Sequence, residues 1–305
     1  MDHTCVELPR EFINMPQHPN EIVPILSGGG TRLSCHIGIL QALSEMGLSF
    51  RHLVGVSGGS IVAALYAAGW PLSRIAQLAL DTDFRYFRGI SLLTLLRTGG
   101  LCNGNRFEQW LDVKLEGRTF ADLQLDLHVL ATDIKGGGPV LFNRALTPEL
   151  KVSAAIRFSM SIPLFFSFKS YGNHVMTDGV ILSEDALHHD WSGLGLPLVC
   201  FRLKSENQTR DIRPSRYLPI VSYLQMLIQT FMNAVSREYV HAEYWHNTIV
   251  VNTGDISAVN FELSAAQKLQ LYEQGYKTAL DIVPRKLPQL FLPISERTPL
   301  VRSGW

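Results

Sequence analysis

Charge is scarce in this chain. Asp, Glu, Lys and Arg make up 18% of its 305 residues, below the roughly 25% usual in soluble domains. The 27 basic side chains are offset by 27 acidic ones, so the formal net charge is zero. A balanced chain lacks the basic surface that holds nucleic-acid phosphates, and no nucleic-acid partner is expected. Cysteine is sparse as well. Cys5, Cys35, Cys102 and Cys200 lie far apart with no CxxC pair, which excludes a disulfide framework or Cys-rich zinc site and fits a reducing compartment. No metal or cofactor is expected.

Long apolar runs are also missing. No stretch reaches the roughly 18 residues of a membrane span. The nearest, Leu218 to Ala234, is broken by Ser222, Gln225, Gln229 and Asn233 at helical spacing, so it reads as amphipathic. The first twenty residues are polar where a signal peptide needs an apolar core. These features predict a cytoplasmic protein with no cleavable signal peptide or transmembrane span, with peripheral membrane contact left open.

What the chain does have is a large apolar content, 46% of residues, enough for a sizeable core. Apolar runs alternate with helical periodicity. Ile22 to Leu26 ends in Ser27-Gly28-Gly29-Gly30, and a helix follows through Ile37, Leu40, Leu43 and Met46 to Gly47. His52 to Val56 ends in Ser57-Gly58-Gly59, and an Ala-rich helix runs from Ser60 to Ala68. This βαβα order implies a parallel sheet covered on both faces. Further strands are expected at Asp126–Thr132, Pro139–Phe142, Asn173–Thr177, Pro197–Leu203 and Asn247–Asn252. Helices are expected at Leu150–Met160, Leu218–His246 and Ser264–Ile282. Arg88 to Phe107 reads as an irregular apolar insertion. The expected organisation is an arm at 1–21, one domain at 22–283 and a tail at 284–305.

The chemistry concentrates at the glycine turns. Gly55-Val56-Ser57-Gly58-Gly59 is a G-x-S-x-G between a strand and a helix, the pattern of a nucleophile elbow. Its small neighbours allow the sharp turn that presents the serine hydroxyl at a helix N-terminus. Gly28-Gly29-Gly30 ends the neighbouring strand, where exposed N–H groups form a nest for an oxyanion. A dinucleotide fingerprint is excluded because Leu33 stands where its third glycine belongs, and a Walker loop because no Gly-Lys-Ser/Thr follows. For the base, His188, His189, His241 and His246 are available, but none sits in a recognisable turn. Asp178-Gly179 is the alternative, an acid at a strand end.

These three motifs in this order resemble the patatin-like phospholipases. Ala131-Thr132-Asp133, Ala154-Ala155-Ile156-Arg157-Phe158-Ser159 before Ile162-Pro163, and Gln274-Gly275-Tyr276 extend the resemblance over about residues 22–283. It implies a three-layer α/β/α fold with a mostly parallel sheet and a Ser57–Asp178 dyad without histidine. It also implies an oxyanion hole from Gly28, Gly29, Gly30 and Gly58, with acyl-lipid esters such as phospholipids as substrates. Arg32 is then a candidate for contact with substrate phosphate. Leu33, Val180 and Ser183-Glu184-Asp185 depart from the family pattern. A serine acyltransferase and a catalytically weak lipid- or partner-binding module are the alternatives. The leucines between Arg88 and Arg97 read either as a lid or interfacial helix, with Leu92 and Leu95 facing lipid, or as an ordinary core helix. The sequence does not settle the oligomeric state.

Overall fold

The computed structural model describes residues 20–89, 91–182, 184–206 and 244–292, with positions 220, 223, 224, 226–228 and 230. The predicted arm before Asn20, His241 and most of 207–243 lie outside the described residues.

The central sheet has the order β10-β9-β1-β2-β4-β8-β7, with β5 paired to β4. Its parallel part comprises β1 (Val23–Ser27), β2 (His52–Val56), β4 (Asp126–Asp133), β9 (Leu198–Lys204) and β10 (Thr248–Asn252). On the other side β5 (Gly138–Phe142) and β8 (His174–Thr177) run antiparallel to β4, and β7 (Lys169–Tyr171) closes a hairpin with β8. Period-two alternation divides the central strands between two layers. Leu26, Leu53, Val129 and Phe201 pack into the large core against α1 (Leu33–Glu45) and α2 (Gly58–Ala67). Val23, Ile25, Val54, Val56 and Leu130 face a smaller core with Leu187 and Trp191. This is the three-layer α/β/α arrangement that the sequence predicts.

The structure fills in what periodicity left out. Arg88–Phe107 is regular: Ser91 Oγ caps α4 (Leu92–Thr98) through Thr94 N–H, and Gly99 in the left-handed region ends it. Next, β3 (Gly100–Cys102) pairs with β6 (Leu164–Phe166) in a small second sheet. Two helices were not predicted, α3 (Leu72–Asp81) and α5 (Asn105–Lys114). In α3, Ile75 and Ala79 are buried and Leu72, Ala76 and Leu78 pack partly buried against the core, an amphipathic pattern that the sequence does carry, whereas α5 buries only Phe107 and Leu111. Between α5 and the sheet lies α6 (Val152–Ser159). The C-terminal helix α7 (Ala265–Lys286), capped by Ser264 and Gln267, runs through Pro284 past the expected end at Ile282. The predicted helix Leu218–His246 lies mostly outside the described residues, and its last expected residues, Tyr244–His246, form the turn that leads into β10. Among the described residues, no helix is long and apolar enough to cross a membrane.

One register relationship positions the site. Val56 pairs with Leu130 in a parallel ladder, and Thr177 pairs with Thr132 in an antiparallel one. Ser57 and Asp178, each the next residue along, therefore reach one level of the sheet from opposite directions, on either side of β4.

Candidate active site

Ser57 alone makes the turn between β2 and α2. Its φ of 51° and ψ of −130° lie outside the usual regions for an L-residue, a strain of order 1–3 kcal/mol. The turn is tight enough that a Cβ on Gly58 would stand 2.4 Å from the Gly30 carbonyl oxygen. Ser57 is fully buried, and its Oγ donates to Asp178 Oδ2 at 2.8 Å.

Asp178 is also buried. Its other oxygen, Oδ1, accepts the Val180 N–H at 3.0 Å. Burial raises the carboxyl to about 6, against the opposing pull of the Val180 N–H and the Ser57 hydroxyl. Desolvation thus makes an ordinarily feeble base a competent one near neutral pH. Val180, a departure from the family pattern, keeps its backbone bond to Asp178 and packs its side chain on the smaller core. Gly179 sits so close to β4 that a Cβ would be 2.2 Å from Leu130 O.

The glycine loop lies beside this pair, and φ is positive at Gly28, Gly29 and Gly30. The N–H groups of Gly29, Gly30 and Gly58 find no acceptor among the described residues. Gly28 differs from the expectation. Its N–H is spent on Val56 O at 3.1 Å, so it shapes the loop and does not donate into the site. The Gly28 carbonyl accepts Gly59 N–H at 2.9 Å and lies 3.1 Å from His36 Nε2. Burial holds the His36 imidazole down to about 4, so it is neutral at pH 7 and donates from Nε2.

Arg32 is a correction. It is 2% exposed, and its guanidinium turns inward to Gly29 O at 3.2 Å, Thr253 Oγ1 at 2.8 Å and Leu203 O at 3.3 Å. These inward bonds fix the loop to the sheet and give the buried guanidinium a structural role in the loop. The histidine alternatives find other neighbours: His188 stacks on Tyr244 and meets Asn247, and His189 meets Trp191 edge-on. Among the described residues, no cluster of His, Cys, Asp and Glu is arranged to hold a metal.

Three further residues went unnoticed as site residues. Ser159 Oγ accepts the Ser57 N–H at 2.8 Å and donates to Leu130 O at 2.5 Å. Ser161 O accepts Asp178 N–H at 3.0 Å and the Thr177 hydroxyl at 2.9 Å. Arg157, fully buried, donates to Ser161 Oγ at 2.7 Å, Asn103 O at 3.0 Å and Ser167 O at 2.6 Å. The end of α6 thus clasps the backbone of both members of the pair. The signal in sequence was the stretch Ala154–Ser159 before Ile162-Pro163, which carries the family resemblance but does not say which backbone groups Arg157, Ser159 and Ser161 would hold.

An apolar cavity opens beside Gly30 and Thr31. Ile61, Val62, Leu65, Ala79, Met160 and Ile162 line it, with Phe87, Phe107 and Trp110 in mutual ring contact. No charged side chain lines it.

Residues 25–189, just over half of the chain, match the patatin-like phospholipase family. The chain belongs to that family. This patatin-like protein is 26% identical over 275 residues to the uncharacterized protein YqhO of Bacillus subtilis, covering 82% of this chain and 94% of YqhO. It is 30% identical over 118 residues to the neuropathy target esterase sws of Drosophila grimshawi, a match spanning 38% of this chain and 8% of that one. In three dimensions it is similar to VipD from Legionella pneumophila, with a TM-score of 0.59 at 17% identity, covering 90% of this chain and 68% of VipD. That likeness shows the shared patatin fold.

Proposed function

We propose that this chain is a lipid acyl hydrolase that cleaves fatty-acyl esters of phospholipids through a Ser57 acyl-enzyme. The observation that carries the proposal is the 2.8 Å hydrogen bond from Ser57 Oγ to a desolvated Asp178 carboxylate. It lies beside the unused N–H groups of the glycine loop and an uncharged apolar cavity. Family membership and the esterase name of the sws relative support the same reading.

In this mechanism Asp178 accepts the Ser57 proton as Oγ bonds to the ester carbonyl carbon. The carbonyl π electrons move to its oxygen, which the N–H groups of Gly29, Gly30 and Gly58 stabilise, aided by the N-terminal dipole of α2. Collapse of this intermediate breaks the carbon–oxygen bond, and Asp178 returns the proton to the leaving alcohol. Water then attacks the acyl-enzyme, giving its proton to Asp178, which passes it back to Ser57 Oγ as the fatty acid departs. The acyl chain occupies the cavity, whose lining offers a polar head group no charged partner.

Fatty-acid release from phosphatidylcholine vesicles tests the proposal. Wild-type protein releases fatty acid, whereas Ser57→Ala and Asp178→Asn do not. Retained activity in Asp178→Asn would overturn the dyad, and failure of Ser57 to label with a fluorophosphonate would overturn the nucleophile. Acyl transfer to an added alcohol in preference to water would reassign the reaction as acyltransfer.

A further inference from the structure

We infer that α4, with the neighbouring Phe168, is the surface on which this protein docks to a lipid bilayer. The helix has two unlike faces. Inward, Leu95 packs against Ile162, Phe166, Leu101 and Cys102. Two of these, Ile162 and Phe166, also line the apolar cavity. Outward, Leu93 is 56% exposed and Leu96 79% exposed. Phe168, 54% exposed, lies against Gly99 at the end of the helix: a Cβ on Gly99 would stand 2.6 Å from its ring. Thr98 ties the helix to the β6 segment through Ser167 at 2.6 Å. The outer face of α4 and the wall of the cavity are therefore two sides of one thin layer.

Charge and area select the occupant. From Phe84 to Phe107 the chain contains four arginines and no acidic residue. Arg85 and Arg88 are paired with Asp83 and Glu262. Arg97 follows the leucines in the last turn of α4, while Arg106 on α5 lies over the Tyr86 ring. Exposed leucines next to an arginine suit the boundary between acyl chains and phosphate head groups. Three side chains fall far short of the roughly 800 Å² per partner that a stable protein dimer buries. A chain with zero net charge gains little from long-range attraction to anionic membranes, so the insertion of these side chains into a zwitterionic surface has to supply the binding. This corrects the sequence reading, which picked Leu92 and Leu95: Leu95 faces inward.

The inference rests on the acyl-hydrolase reading for one point, that the substrate resides in a membrane. The experiment separates the two. Full-length wild type, Leu93→Ser/Leu96→Ser and Leu93→Trp are co-sedimented with phosphatidylcholine vesicles and assayed on a water-soluble short-chain ester. Wild type sediments with vesicles, and the double serine variant partitions roughly tenfold less or worse. It turns over the soluble ester as wild type does, and the new tryptophan's emission shifts to the blue on vesicle addition. Equal vesicle binding by wild type and the double serine variant overturns the inference, as does wild type that stays in solution. A change of molecular mass between them by light scattering also overturns it, in favour of a self-association surface. If neither protein cleaves any ester but the difference in vesicle binding persists, docking stands and the hydrolase reading fails.

Discussion

Ser159 accepts the backbone N–H of Ser57 through its hydroxyl at 2.8 Å, and gives its own proton to Leu130 O at 2.5 Å. The strained turn at Ser57 is thereby held from outside, by a residue that does not touch the reacting atoms. Removing that hydroxyl leaves the Ser57 N–H buried and unpaired, at a cost of about 1–3 kcal/mol, and releases the turn. Ser159→Ala is therefore expected to lower kcat by about 10²-fold with KM little changed. Ser159→Thr, which keeps the hydroxyl, should recover part of the loss. Equal falls in stability and activity with no rescue by Thr would reduce Ser159 to a packing role.

Asp178 makes opposite demands on stability and catalysis. Its carboxyl ionises near pH 6 in the folded protein against 3.8 when unperturbed. The folded state thus holds a proton between about pH 4 and 6 that the unfolded state has released. Stability from this group is present at low pH and is lost as pH rises towards 6, a cost of about 3 kcal/mol at neutrality. Activity runs the other way, because only the carboxylate accepts the serine proton, so kcat rises through about pH 6. Asp178→Asn should abolish activity and raise the thermal midpoint at pH 7 while leaving it almost unchanged at pH 4. A midpoint that falls at both pH values would contradict this account.

The oxyanion site depends on the approach of two backbone segments. A Cβ at position 58 would stand 2.4 Å from Gly30 O and 2.6 Å from Gly30 N. Gly58→Ala must push the loop away from Ser57 and is expected to cost about 10²–10³ in kcat, the usual loss for one oxyanion donor. Fluorophosphonate labelling of Ser57 should slow by a similar factor, because that reaction also builds negative charge on oxygen. Unchanged labelling would move the oxyanion site elsewhere.

On the proposed mechanism, the cavity sets a length limit on the acyl chain. Ala79, a buried residue of α3, lines it, and Ala79→Phe fills part of the space. Cleavage of long-chain esters should fall about tenfold or more relative to short-chain esters, which need less room. A uniform fall across chain lengths, measured with a series of soluble esters, would place the acyl chain outside this cavity.

How far the sequence reveals this arrangement depends on the range of each interaction. β1, β2 and the helices after them are written in local pattern, and so is the elbow at Ser57, because strand, glycine turn and helix are contiguous. Asp178 was reached through the order of motifs, since nothing near it says that β8 would run antiparallel to β4 and bring it level with Ser57. Arg32 misled because its partners, Thr253 and Leu203, are far along the chain; an arginine beside a glycine nest looks like an anion ligand until its donors are counted. Ser159 was invisible as a site residue for the same reason, because it acts on the backbone of Ser57, 102 residues earlier. Leu95 was placed on the outer face because a seven-residue helix gives periodicity too few turns to fix its phase.

The ladder that carries Asp178 is short. β8 meets β4 over two residue pairs, Thr132–Thr177 and Asp133–Met176, whereas β2 meets β4 over five. The bond from Ser57 to Asp178 also closes 121 residues of chain, an entropic burden that the local elbow does not carry. The two halves of the dyad therefore belong to regions of unequal tenacity. Partial opening of the β7–β8 hairpin is expected to disconnect the acid while the serine stays poised, giving an inactive form that is still folded. In rising denaturant, catalysis is then expected to disappear before the helical signal does, and to be the last property to return on refolding.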